Sequence, residues 1–203
     1  MGAVSTRRAA RRSAARPWLA TILAVTVCLV GIGRVAQGVA VPIKATVAQV
    51  MLEHAFDRSR AEHHVQRPWL SADMAPVARI RVPRLGVDSI VLDTGSGQAM
   101  AFGPTLLPGS AALGAPGTSV IAAHRDTHFR FLRDVRPGDL VEVERVEGGT
   151  LRYQVTGSEV VRWDRFAIAS GRTTNALALS TCYPFGGPGH SPLRYVVHAE
   201  PVG

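Results

Sequence analysis

The sequence predicts an all-β domain, an antiparallel sandwich or barrel, set behind an apolar N-terminal segment. Three observations carry this. Short β-branched runs alternate with turn residues, the 203 residues include 20 Gly and 13 Pro, and an uncharged apolar stretch follows an arginine-rich start. Short strands with little helix between them argue against a parallel sheet, whose crossovers need helices. A chain of this length holds one ordinary domain plus an accessory segment.

Residues 1–17 form a basic start: Arg7, Arg8, Arg11, Arg12 and Arg16 all precede the first apolar run, and no acidic residue occurs before Glu53. These five arginines supply five of the eight net positive charges and leave only +3 for the rest. That remainder is too small for a groove tracking phosphates, so no nucleic-acid partner is expected.

The stretch 18–33 carries no charge, and apart from Arg34 low polarity continues to residue 43. This supplies about the twenty residues that a spanning helix needs. Arginines before it and few charges after it follow the positive-inside pattern. The expectation is a single-pass signal-anchor over 18–43 in the inner (cytoplasmic) membrane, with a cytoplasmic N-terminus and a periplasmic, extracytoplasmic body. Small residues at Gly38 and Ala40 leave cleavage as a signal peptide open.

Residues 44–75 read as a helical spacer, because Val47, Val50, Met51, Leu52, Ala55 and Phe56 recur at helical spacing between charges. Pro68, Pro76 and Pro83 then open a different regime, and the body is expected over 76–203. Strands are expected at 77–82, 89–92, 119–124, 140–145, 151–158, 177–182 and 194–199, with a turn or two of helix over 128–135.

Of the two cysteines, Cys28 falls in the apolar run and Cys182 near the C-terminus, so the anchor boundary separates them and no disulfide is expected. A lone thiol in an oxidising compartment is a candidate reactive group. In a strand with Leu177 and Leu179 facing the core, Cys182 faces outward beside Ser180. If Tyr195, Val197 and Ala199 face inward in the last strand, Arg194 projects outward at its start. Pairing these strands antiparallel makes Cys182 and Arg194 neighbours on one face. A third strand delivers His124 at its end.

Thiolate attack is favoured by a nearby imidazolium or guanidinium, and the imidazole can later protonate a leaving amine. An arginine keeps its charge and can donate to the oxyanion of acyl transfer. Cys182, His124 and Arg194 are therefore a sufficient set for peptide-bond exchange through a thioacyl intermediate, and no metal or other cofactor is expected. His54, His63 and His64 have no cysteine nearby to complete a metal site.

The segments 120–127 (VIAAHRDT), 179–185 (LSTCYPF) and 194–197 (RYVV) resemble the sortases over roughly residues 76–201. The resemblance implies an eight-stranded β-barrel and a cysteine transpeptidase. Such an enzyme cleaves a C-terminal LPxTG-like sorting signal of a protein substrate between Thr and Gly and passes the acyl group to an amine acceptor. It places His124, Cys182 and Arg194 at the three catalytic positions, with Ser180, Thr181 and Tyr183 as substrate-binding candidates. Residues 79–87, 101–104 and 124–132 look most like the Gram-negative class of sortases. Ala178 and Ala123 depart from the Thr and Gly common at those positions, which bears on substrate fit more than on mechanism. Two other readings stand beside this one: an L,D-transpeptidase-like peptidoglycan enzyme, whose usual Ser-His-Gly-Cys string is missing, and a barrel that binds peptide without turnover.

Overall fold

Period-two alternation of apolar residues is what closes a sheet around a core, and β1 (Pro76–Val82) shows it, with every second residue buried. The computed structural model describes residues 17–165, 173–187, 189 and 191–202. The described residues divide into two units, one up to Lys44 and one from Ala45 onward, each taken by itself below.

In the second unit eight strands form a closed barrel in the order β1-β2-β3-β4-β7-β8-β6-β5. After β1 come β2 (Val87–Leu92), β3 (Thr105–Leu106), β4 (Gly117–Ala122), β5 (Leu140–Arg145), β6 (Thr150–Arg162), β7 (Asn175–Tyr183) and β8 (Leu193–Pro201). Most neighbours run antiparallel, but β2 and β3 pair in parallel at Leu92↔Thr105, and β4 and β7 do so from Gly117↔Asn175 to Ala122↔Ser180. This pairing of strands distant in sequence sets the end of β4 beside the end of β7. Closure leaves no open sheet edge.

The barrel core contains Ile80, Val91, Ile121, Val143, Leu177 and Val197, and Phe129 and Leu132 from the turn around 130–134 pack into it. Strand β7 is buried from Ala176 to Thr181 on both faces. Its outer side is covered because Ala178 packs with Val120 and Val196 under Leu107 and Val161. A strand so enclosed reads as a continuous apolar run.

The expected strands are present, most of them with longer ends, while β5 has its expected bounds and β4 is shifted two residues toward the N-terminus. Strand β6 continues four residues beyond its expected end, since Tyr153 to Arg162 find partners along β8. Three elements escaped the sequence: the two-residue β3, the single 3-10 turn Pro83–Leu85, and the short helix α2 (Gly97–Phe102), which follows α1 (Pro17–Glu62) in chain order. Ser96 caps α2, its hydroxyl accepting from Ala99 N–H at 3.1 Å.

No helix boundary falls near residue 43: the single helix α1 holds the expected anchor and the first part of the expected helical spacer, and it ends at Glu62, so residues 63–75 are not helical. Within the second unit Leu52 and Phe56 of α1 are buried with Met74, Ile90, Leu92 and Ala99. Glu53 accepts from Arg79, whose guanidinium also lies 5.0 Å from the Phe56 ring centroid.

Within the first unit Ile22, Leu23, Val25, Val27, Leu29, Val30 and Ile32 are exposed. Among the described residues no helix is long and apolar enough to cross a membrane, so the spanning helix expected at 18–43 is not shown. The side chains of 35–45 lie outside the described residues.

Asp139 opens β5 from a turn in which Gly138 takes φ 94°, a value that favours glycine. Its carboxylate accepts from Arg84 Nε at 2.5 Å and Nη2 at 2.7 Å and from Arg136 N–H at 2.8 Å. The Arg84 hydrogen bonds hold this carboxyl below its ordinary value. A depressed folded value means stability that is present above the unfolded carboxylate range and lost as pH falls through the folded value. Asp139→Asn should therefore lower the Tm by several degrees at neutral pH. The gap to the parent protein should narrow in acid below about pH 4. Thermal melts across pH check this, and a gap that stays constant counts against it.

Candidate active site

Strand register puts two of the expected functional groups side by side. Cys182 of β7 lies directly opposite Arg194 of β8, within the pairing that runs from Leu177↔Ala199 to Tyr183↔Leu193. Directly opposed residues on antiparallel strands share a face, with Cβ atoms about 4.5–5.5 Å apart. Leu177 and Leu179 point into the barrel core, so Cys182 and Arg194 stand on its outer side. Both are half-buried.

His124 reaches the same place by a different route. Strand β4 ends at Ala122, two residues earlier than the sequence implied, and Ala123 N–H donates to the Ser180 carbonyl at 3.2 Å. The Thr181 hydroxyl donates to the Ala123 carbonyl at 2.7 Å, fixing the chain just before the histidine. Just after it, Phe129 N–H donates to the His124 carbonyl at 3.1 Å while the Phe129 ring is buried in the core. The His124 backbone is thus held on both sides, and its side chain is exposed.

Two clefts meet at these residues. One, of about 440 Å³, is lined by His124, Arg125, Asp126, Cys182, Ser191 and Arg194, among others. The second, of about 290 Å³, is lined by Met100, Leu107, Ser180, Cys182, His124 and Arg194, with other β4 and β7 residues. Cys182, His124 and Arg194 line both, so a chain lying across the junction passes over all three.

Arg194 Nη1 donates to the carbonyls of Ser191 at 2.8 Å and Leu193 at 2.9 Å. These bonds hold Nη1 against the backbone at the start of β8. Burial pushes the His128 imidazole below its ordinary value, opposed by a hydrogen bond with the Ala101 backbone and helped by nearby His124. Burial thus disfavours a second positive charge beside His124. Among the described residues no group of His, Cys, Asp or Glu could hold a metal ion.

The three substrate-binding candidates separate. Ser180 shares the outer face with Cys182 and lines the smaller cleft. Thr181 also borders that cleft, but it is buried and its hydroxyl is committed to the Ala123 carbonyl. Tyr183 lines neither cleft. Alternation turns it away from Cys182, and its ring stacks on Tyr195 with centroids 6.1 Å apart and meets Phe185 edge-on. Asp126 lines the larger cleft and accepts from Arg125 Nε at 3.4 Å. His198 sits on Glu159 at 2.9 Å, and His190 lies outside the described residues.

Sequence reasoning gave Arg125 no role. It is a charged side chain only 6% exposed, beside the exposed His124. The in-out alternation through Ala123, His124 and Arg125 was the available signal, since it turns an arginine inward.

A family model described as the sortase domain matches residues 80–202. Among curated proteins, sortase D of Bacillus subtilis (strain 168) is 31% identical over 87 residues, which are 42% of this chain and 43% of the relative. The chain thus matches less than half the length of that relative. Among solved structures, sortase A from Corynebacterium diphtheriae superposes with a TM-score of 0.60 at 26% identity, covering 66% of this chain and 63% of the other. A Clostridium perfringens sortase D5 transpeptidase gives a TM-score of 0.63 at 16% identity, over 78% of this chain and 99% of the other, a likeness of fold.

Proposed function

The chain belongs to the sortase family, and from that premise we propose that it is a cysteine transpeptidase acting on a protein's C-terminal sorting signal. One observation carries the proposal: Cys182 and Arg194 face each other across β7 and β8 in a cleft that His124 also lines.

In the first step the Cys182 thiolate adds to the carbonyl of the scissile peptide bond, and Arg194 donates hydrogen bonds to the oxyanion. Collapse breaks the C–N bond, His124 gives its proton to the departing amine, and a thioester remains on Cys182. In the second step an amine acceptor attacks that thioester, His124 takes the amine's proton, and the thiolate is released. One peptide bond is exchanged for another, and no oxidant or reductant is consumed.

An LPxTG-like signal cut between Thr and Gly is the substrate proposed from the family resemblance. The Gram-negative class rests on residues 79–87, 101–104 and 124–132. Attachment to the inner membrane through 18–43, with the barrel outside the cytoplasm, belongs to the same proposal. Arg7, Arg8, Arg11, Arg12 and Arg16 support it, as do the exposed apolar side chains between Ile22 and Ile32, which run round most of the helix.

The test incubates the full chain with an LPxTG-like peptide and an oligoglycine amine and follows the masses. The expected result is an acyl adduct on Cys182 and a transfer product joined at Thr. Turnover of disaccharide-peptides with the sorting peptide untouched would replace this reading with an L,D-transpeptidase. Binding without turnover would leave a peptide-holding barrel.

A further inference from the structure

The connection from Cys182 to Arg194 is rich in Pro and Gly, and the backbone at Gly186 and Gly189 takes φ 70° and 61°. Such a segment has little regular structure to hold it. Its described internal backbone bond is Gly187 N–H to the Pro184 carbonyl at 3.3 Å. An outside partner is present, however. Arg125 Nη2 donates to the Gly187 carbonyl at 2.5 Å and to the Gly189 carbonyl at 3.0 Å, from more than sixty residues away in the chain.

Stability alone accounts poorly for this arginine. A buried guanidinium pays a desolvation cost that good partners must offset. Here Nε has only a 3.4 Å bond to the exposed Asp126, and Nη1 is buried with no partner among the described residues. What the arginine does achieve is continuity across the larger cleft. It follows His124 in the chain, it grips the connection at Gly187 and Gly189, and two residues further on the Ser191 carbonyl holds Arg194 Nη1 at 2.8 Å.

We propose that Arg125 is a positioning residue for the transpeptidation reaction, latching the β7–β8 connection so that Arg194 is presented correctly to the oxyanion. This rests on the cysteine transpeptidase reading above. Arg125 acts through Arg194 and need not touch the substrate. Loss of the latch displaces the oxyanion donor, and a misplacement of about 1 Å can cost on the order of 10²-fold in rate.

The experiment compares Arg125→Met, Arg125→Lys, Arg194→Ala and the Arg125→Met/Arg194→Ala pair, with sorting-peptide kinetics and amide hydrogen exchange of the full chain. Expected results are a kcat about 10²-fold lower in Arg125→Met with a smaller change in KM, and partial recovery in Arg125→Lys, which keeps one donor. Exchange should rise at Gly187 and Gly189. In the pair, the Arg125 change should cost almost nothing further, because its route of action is already gone. Additive losses in the pair, or unchanged exchange at the two glycines, would overturn the proposal. If Arg125→Met does not fold, an Arg125→Lys protein with full kcat and more rapid exchange at the glycines would do the same. Failure of the transpeptidase reading looks different: the parent protein would leave the sorting peptide uncut while the exchange measurement still reports on the latch.

Discussion

Cys182→Ala is expected to slow release of the C-terminal fragment from an LPxTG-like peptide by at least about 10⁴-fold, the scale on which enzymes respond to loss of a nucleophile. The loss should be chemical, not structural. Cys182 is half-buried on the outer side of β7, whereas the buried contacts of that strand come from Ala176 to Thr181. Alanine keeps the backbone ladder to Arg194, so the melting temperature should hardly move. Cys28, exposed on α1, supplies the control: Cys28→Ala should retain full turnover. Mass analysis should find the acyl adduct in the parent and in Cys28→Ala and none in Cys182→Ala. Cleavage at the parent rate by Cys182→Ala would remove the proposed chemistry altogether.

His124→Ala is expected to lower kcat on the same peptide by about 10²- to 10⁴-fold, the usual contribution of a positioned general acid or base. The mechanism predicts where that loss falls. An amine leaving group needs a proton as the C–N bond breaks, whereas an activated aryl ester releases a stable phenolate without one. The deficit in acylation should therefore shrink markedly on an aryl ester of the same acyl group. Burst kinetics with both substrates decide the matter. Equal deficits on both would mean that His124 does not serve as the acid.

Much of this site was legible because it depends on alternation, a property local to each strand. Leu177 and Leu179 inward put Cys182 outward, and Val197 and Ala199 inward put Arg194 outward. The observed register joins the two as opposed residues. The same rule, applied one residue further, turns Tyr183 away from the cleft, against its candidacy as a substrate contact.

What was not legible depends on partners remote in sequence. Strand β6 extends from its expected end at Ser158 to Arg162 because β8 pairs along it as far as Leu193. Strand β3 has two residues and a single pairing with β2, Leu92↔Thr105, so no periodicity could reveal it. Helix α2 is six residues long, below what an apolar period can mark, although Met100 from it lines the smaller cleft. The Arg125 contacts to Gly187 and Gly189 span more than sixty residues, and only the closed barrel brings them together.

The ladder that opposes Cys182 and Arg194 makes the gene tolerant in one place and brittle in another. Codons gained or lost around the Pro/Gly-rich bend would keep Cys182 and Arg194 opposed in the ladder, at a small entropic cost for each residue added, while shifting the Gly187 and Gly189 carbonyls off Arg125 and with them the aim of the guanidinium. A single codon gained between Arg194 and Val197 would flip one flank of β8, driving the cation toward the hydrocarbon interior or Val197 and Ala199 out of it.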